Sequence, residues 1–368
     1  MDRPLSVAVI GGGNVAQEAY LPLLMTLRQR GAVDRVVVVD VNADQLAIVE
    51  QGFPVECSLE IDDVLNDETI DIVVVLTSML HHGSLSLRAL RAGKSVLVEK
   101  PMATTLDEAA ELVALSKTSK GLLVCAPHVT LSPDFQRMLR IVQDGSVGRP
   151  LLGRARYGWD GPEWGRWFYE QGGGPLFDLG VYSITSLTAL LGPAAIVSAL
   201  STLTRPERTV EGVRTAVQTD DTYQIVLRHE GGALSTVTTA FGMQKYRGPA
   251  VEVYGLDGTV QLLGDDWAPE GLELWTNASQ RWSVFEGVSR NWPWTDGLTH
   301  LVDCVRTGST PYITPEHSYH VLEIMFRAME SAQTGVVQEV TSRFDAPTPR
   351  HAAASAAPAH DRTRMTLE

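Results

Sequence analysis

The first third of the chain alternates short β-branched runs with stretches of helical periodicity. Leu5–Ile10 (LSVAVI), Arg35–Asp40 (RVVVVD), Asp71–Leu76 (DIVVVL), Ser95–Val98 (SVLV) and Leu122–Ala126 (LLVCA) read as strands. Their near-continuous apolar character is that of strands buried on both faces. Between them, Val15–Arg30, His82–Ala92 and Leu106–Ser119 carry helical spacing, and Gly93 follows the second of these where a C-terminal cap belongs. The series predicts a doubly wound parallel sheet, a Rossmann-type α/β domain over residues 1–126.

Beyond residue 127 the pattern changes. A helix is predicted at Pro133–Gln143, and strand-like segments then dominate: Leu152–Trp159, Ile196–Leu203, Thr222–Arg228, Leu234–Phe241, Val251–Tyr254, Thr259–Leu263 and Leu272–Thr276. One helix, Asp178–Leu191, interrupts them, and two more, Thr295–Thr307 and Pro315–Thr334, come late. This predicts an α+β second domain over 127–344, an open and mostly antiparallel sheet with helices on one side. The late helices either complete that domain or pack back on the first. From Asp345 the chain is Ala-, Pro- and His-rich without period, which predicts a disordered tail over 345–368 in which His351 and His360 have no role.

Composition narrows the partners. Thirty Lys and Arg against 44 Asp and Glu give a net charge of −14, which repels phosphate backbones and argues against nucleic acid. Cys57, Cys125 and Cys304 lie far apart, without metal-ligand spacing, and read as buried thiols in a reducing compartment. The opening apolar run is too short for a signal peptide or a membrane span, so the expectation is a cytoplasmic protein with no metal and no membrane contact.

Gly11-Gly12-Gly13-Asn14-Val15-Ala16 contains G-x-G-x-x-A between a strand and a helix, and Asp40 closes the next strand about two dozen residues later. In that context the pattern predicts a dinucleotide site. Gly11 serves the tight turn, Gly13 the close approach of the pyrophosphate, and Ala16 the close packing of helix on strand. Asn14 and Val15 open the helix whose N-terminus receives the phosphates. Asp40 suits the adenine ribose, and Val41 and Asn42 offer no cation for a 2′-phosphate, so NAD is preferred to NADP.

Further motifs follow in order. Glu99-Lys100-Pro101 comes after the SVLV strand, Asp144-Gly145-Ser146-Val147-Gly148 after the predicted 133–143 helix, and Gly172-Gly173-Gly174 runs on to Asp178-Leu179-Gly180-Val181-Tyr182. Leu301-Val302-Asp303-Cys304-Val305-Arg306-Thr307-Gly308 lies late in the chain. Together with the glycine motif these resemble the Gfo/Idh/MocA family of oxidoreductases over nearly all of the chain before the tail. The resemblance implies a Rossmann domain joined to an α/β domain, nicotinamide-dependent chemistry, and a sugar, inositol or related polyol as substrate. It also implies that Thr77, His82, Glu99 and Lys100 lie at the cofactor and that His128 touches substrate. Two departures stand out. The family often reads T-P-N-x-x-H where this chain has Thr77-Ser78-Met79-Leu80-His81-His82. Its frequent histidine after D-x-G-x is here Tyr182, as in members resembling glucose–fructose oxidoreductase and the dihydrodiol dehydrogenases.

Oxidising an alcohol requires a group to take the hydroxyl proton while hydride leaves carbon. Tyr182 is the candidate, and Lys100 supplies the nearby cation that an ordinary phenol, with a pKa near 10, needs in order to act at neutral pH. Asp178, one helical turn before Tyr182, would hold a neighbouring hydroxyl. Asp178 equally suits a helix N-cap, and Tyr182 a core tyrosine. Trp164 and Trp167, with Trp159 and Tyr169 nearby, offer aromatic faces to a pyranose ring or to the core. The main expectation is therefore an NAD(P)-dependent dehydrogenase or reductase of a sugar, inositol or glycoside. The alternatives are a biosynthetic ketoreductase of a nucleotide-linked sugar and a non-catalytic NAD-binding regulator. A sheet with one uncovered face further predicts a homodimer or homotetramer.

Overall fold

The computed structural model describes residues 3–265, 267–288 and 292–350. The chain divides into two compact units, one of residues 3–128 and 295–319 and one of residues 129–294 and 320–350.

In the first unit six strands are all parallel: β1 (Leu5–Ile10), β2 (Val33–Val39), β3 (Glu56–Ser58), β4 (Ile72–Val75), β5 (Ser95–Val98) and β6 (Leu123–Cys125). Their order in the sheet is β3-β2-β1-β4-β5-β6. Every residue of β1, β4, β5 and β6 is buried, as their near-continuous apolar runs suggest. The strand order reverses beside β1, whose neighbours are β2 and β4, and the crevice outside the carboxyl ends of β1 and β4 is the switch point where such sheets take ligands. The intervening helices are α1 (Leu21–Gln29), α2 (Ala43–Gly52), α3 (Ile61–Leu65), α4 (His82–Arg91) and α5 (Leu106–Ser116). A π turn, Ala16–Tyr20, precedes α1. It is closed by the Leu21 N–H on the Ala16 carbonyl, and Pro22, which has no N–H, follows it in the first turn of α1.

The second unit opens with α6 (Pro133–Gln143), capped by the Ser132 hydroxyl on the Phe135 N–H. Its strands are β7 (Pro150–Gly158), β8 (Ala194–Thr202), β9 (Glu207–Val210), β10 (Val213–Ala216), β11 (Thr222–His229), β12 (Leu234–Ala240), β13 (Val251–Gly255), β14 (Gly258–Asp265), β15 (Ala268–Thr276) and β16 (Arg281–Glu286). The helix α7 (Val181–Leu191) lies between β7 and β8 in the chain. The late elements are α8 (Gly297–Thr307), which belongs to the first unit, α9 (Pro315–Thr334), and β17 (Gln338–Glu339). The large sheet runs β16-β15-β14-β13-β7-β12-β11-β8-β17, antiparallel except where β7 and β12 pair in parallel.

On one face of this sheet Gly153 of β7 meets the side chains of Leu187 and Leu191, so α7 covers it. On the other face Leu152, Leu200, Val226 and Leu234 are exposed; the pairings Leu152 with Leu234, Val226 with Thr236 and Val226 with Ser198 put them on one side. The hairpin β9–β10 has no counterpart in the strands read from sequence. Its two-residue turn, Glu211-Gly212, has positive φ at both positions, a geometry usually announced by Asn-Gly or Asp-Gly.

The segment 345–350, read from composition as the start of a disordered tail, is placed in this structure. The Arg350 N–H donates to Gln136 Oε1 at 2.7 Å and Gln143 Nε2 donates to the Pro347 carbonyl at 2.8 Å, which lays it along α6. His351 and His360 lie outside the described residues. Among the described residues no helix is long and apolar enough to cross a membrane.

Candidate active site

The glycine loop follows β1 at the switch point. Gly11 has φ 101°, and a Cβ there would lie 2.8 Å from the Leu76 carbonyl carbon and oxygen, so no side chain fits between the ends of β1 and β4. At Gly13 a Cβ would meet nothing within 4 Å. The space beside Gly13 is therefore open, as the approach of a pyrophosphate to a helix N-terminus requires. Ala16 is fully buried, as close helix–strand packing demands, while Asn14 and Val15 are exposed.

Asp40 holds this loop from the end of β2. Its Oδ2 accepts from the Gly12 N–H at 2.8 Å and its Oδ1 from the Asn42 N–H at 2.9 Å. The Gly12 carbonyl accepts from Gln17 Nε2 at 2.8 Å and Gln45 Nε2 at 2.9 Å. The loop is thus fixed before any ligand arrives. Gln17 and Gln45 escaped the sequence reading, because nothing in a surface-like glutamine shows which carbonyl its amide will find. The residues present fit a dinucleotide: an open cradle at Gly13, a helix N-terminus beyond it, and a carboxylate, Asp40, just after the next strand. The neighbouring Val41 is almost fully exposed and carries no charge.

The Glu99–Pro101 turn leaves the sheet just after β5. The Glu99 N–H makes a ladder bond to the Val75 carbonyl at 3.1 Å, and its carboxylate is buried. Oε1 accepts from the Tyr20 hydroxyl at 2.7 Å, and Oε2 from the Lys100 backbone N–H at 3.0 Å. The Lys100–Pro101 peptide bond is cis.

His82, at the start of α4, is buried with one ring nitrogen against each of two loops. Nδ1 lies 2.8 Å from the Pro101 carbonyl and Nε2 2.9 Å from the Thr77 carbonyl. Burial pushes its pKa down, against the two carbonyls and the Glu99 carboxylate, which favour the charged ring. A ring carrying one proton donates to one of these carbonyls and packs against the other, so His82 lies against both the loop that carries Thr77 and the turn that carries Lys100. The departure at Ser78-Met79 has a structural consequence as well: Met79 is buried and begins a short 3₁₀ turn before α4. His128, at the end of the β6 loop, is buried, and its ring occupies the space a side chain at Gly297 would need.

In the second unit the Gly-rich segment leads into the helix that bears Asp178 and Tyr182. A Cβ at Gly173 would lie 2.4 Å from the Trp167 carbonyl oxygen, and Gly174 has φ 93°. The Gly174 N–H donates to the Phe168 carbonyl at 2.7 Å and the Asp178 N–H to the Gly174 carbonyl at 3.2 Å. The helix opens with a π turn, Leu176–Gly180, before α7, so Asp178 sits on a widened turn of a kind often found at functional sites. Asp178 and Tyr182 are both mostly buried, and the rings of Tyr157 and Tyr182 meet nearly perpendicular with centroids 5.8 Å apart.

The aromatic loop divides between core and surface. Phe168 and Tyr169 are buried with Val210 and Phe241, and Trp167 stacks on Phe168 at 3.6 Å. Trp164 is 48% exposed and lies against Trp159 and Phe168.

Comparison with known proteins agrees with this geometry. A family model described as "Oxidoreductase family, NAD-binding Rossmann fold" matches residues 5–126, and one described as "GFO/IDH/MocA C-terminal domain" matches residues 135–261. The chain is 25% identical over 332 residues to D-apiose dehydrogenase of Paraburkholderia graminis, covering 83% of each chain. It is 25% identical over 281 residues to trans-1,2-dihydrobenzene-1,2-diol dehydrogenase of Macaca fuscata fuscata, covering 73% of this chain and 80% of that one. Among solved structures, GenD2 from gentamicin A biosynthesis, in complex with NAD, is 26% identical with a TM-score of 0.76, over 93% of this chain and 98% of that chain. The chain belongs to the GFO/IDH/MocA family of oxidoreductases and is an NAD(P)-dependent dehydrogenase or reductase acting on CH–OH groups, with an NAD-binding Rossmann domain.

Proposed function

We propose that the protein transfers hydride between NAD and a secondary alcohol or ketone of a sugar, inositol or glycoside. The observation that carries this reading is the buried pair of Asp178 and Tyr182 on a helix opened by a glycine segment and a π turn. It is supported by relatives that act, by their names, on a branched sugar and a cyclic diol. When bound, the cofactor accepts or donates hydride at its nicotinamide ring. In the oxidative direction Tyr182 takes the hydroxyl proton, and Lys100 favours the oxyanion that develops as it leaves. Asp178 accepts a hydrogen bond from the adjacent hydroxyl and selects the carbon presented for reaction. Trp164, Trp167 and His128 are assigned to the substrate, and the exposure of Trp164 suits that role. Asp40 favours NAD, because a 2′-phosphate would face its carboxylate with no cation on Val41 or Asn42 to offset it.

The test is a cofactor assay at 340 nm with NAD or NADP and a panel of sugars, inositols and glycosides. Reduction of NAD by a narrow group of these supports the reading. Lys100→Met should lower kcat by about a hundredfold or more while NAD still binds. Turnover that survives this substitution would refute the assigned chemistry.

A further inference from the structure

We propose that Tyr20 is a positioning residue for the Lys100 turn, acting through the carboxylate of Glu99. Its effect on turnover rests on the role given to Lys100 above; its effect on the turn itself does not.

Tyr20 closes the π turn that follows the glycine loop, and its side chain is fully buried. A phenylalanine would fill the same apolar space, so packing alone does not call for the hydroxyl. That hydroxyl donates at 2.7 Å to Glu99 Oε1, across 79 positions of sequence. A buried carboxylate with too few donors is costly, and each donor also selects its rotamer. With Oε1 held by Tyr20, Oε2 is directed at the Lys100 N–H, 3.0 Å away. This is where the chain has made its last ladder bond, from Glu99 to Val75, and no longer has the sheet to hold it. The His82 ring takes over one residue later, at the Pro101 carbonyl. Lys100 therefore sits between two anchors, one of them oriented by Tyr20.

The widened turn supplies the second observation. The π turn at Ala16–Tyr20 begins the same helix whose N-terminus faces the cofactor cradle. Tyr20 thus links the dinucleotide helix to the turn that carries the proposed catalytic lysine. Displacing the ammonium by a fraction of an ångström would affect transition-state stabilisation more than cofactor binding.

The test compares the wild-type protein with Tyr20→Phe and Glu99→Gln by three readouts: NADH affinity from fluorescence, steady-state kinetics, and hydrogen exchange at the Lys100 amide. In Tyr20→Phe we expect exchange at Lys100 to rise about tenfold, kcat to fall about tenfold, and NADH affinity to stay within about threefold. The double variant should be no worse than Glu99→Gln alone, because both changes act through one carboxylate. Wild-type exchange and kcat in Tyr20→Phe would overturn the proposal and leave Tyr20 a core residue. If Tyr20→Phe is too unstable to assay, Glu99→Gln decides: wild-type exchange at Lys100 in that variant also overturns it. Should the wild-type protein turn over no polyol, the functional reading fails, while the exchange measurement still decides the role of Tyr20.

Discussion

Gly11 and Gly13 stand two residues apart in one loop, yet alanine at each should fail for a different reason. At Gly11 the added methyl would sit 2.8 Å from the backbone of Leu76, at a φ of 101° that side chains rarely adopt. The conformation costs about 1–3 kcal/mol and the overpacking roughly 1–3 kcal/mol more. Gly11→Ala should therefore lose about 2–6 kcal/mol of stability, with or without cofactor. At Gly13 the added methyl meets no protein atom within 4 Å, and φ is not positive. Gly13→Ala should leave the stability of the cofactor-free protein within about 1 kcal/mol, or raise it slightly, since alanine loses less chain entropy than glycine. The methyl would instead occupy the space proposed for the pyrophosphate, and NAD affinity should fall at least about tenfold, or roughly 1.4 kcal/mol. The assay is thermal unfolding of each variant without ligand, followed by NADH titration by fluorescence. Because the chain has two units, the comparison is of the apparent midpoint of the transition that NAD shifts in the wild type. Wild-type NAD affinity in Gly13→Ala, or wild-type stability in Gly11→Ala, would refute the division of roles.

Two other predictions concern the second unit. Burial pushes the pKa of His320 down to about 4, and its Nε2 accepts from the Ala194 N–H at 3.0 Å, which requires the unprotonated nitrogen. The unfolded chain binds this proton below about pH 6.5, so His320 should cost roughly 3 kcal/mol of stability as pH falls from about 6.5 to 4. Urea unfolding from pH 7 to 4.5 should show this loss, and a His320→Gln variant that keeps the full pH slope would exclude His320 as its source. The open sheet face carrying Leu152, Leu200, Val226 and Leu234 is proposed to pair with a second copy, making a dimer or tetramer. Light scattering should find more than one chain for the wild type and a single chain for Leu200→Glu/Leu234→Glu; a single-chain wild type would end that proposal.

The buried strands were the most legible elements. Leu5–Ile10 and Ser95–Val98 fall where their apolar runs put them, and so do the helices Pro133–Gln143 and Pro315–Thr334. Local signals sufficed there: short, near-continuous apolar runs in one case, and Pro at the start of an amphipathic period in the other. The strands β3 and β16 and the β9–β10 hairpin did not stand out. β3 is only three residues long, and Glu211-Gly212 is an uncommon way to write a turn with two positive φ values.

The glycine motif with Asp40 was sufficient to specify a strand, a turn and a helix, because the glycines act through their own backbone and Asp40 follows the neighbouring strand. The order of the motifs likewise disclosed the family. Tertiary structure alone decided which side chains share a hydrogen bond. Tyr20 reaches Glu99, His82 spans the Thr77 and Pro101 carbonyls, and Gln17 with Gln45 holds Gly12. The physical reason is one of range. Periodicity and propensity are set by residues within a turn or two along the chain, whereas a hydrogen bond requires two atoms within about 3 Å that only the folded chain brings together.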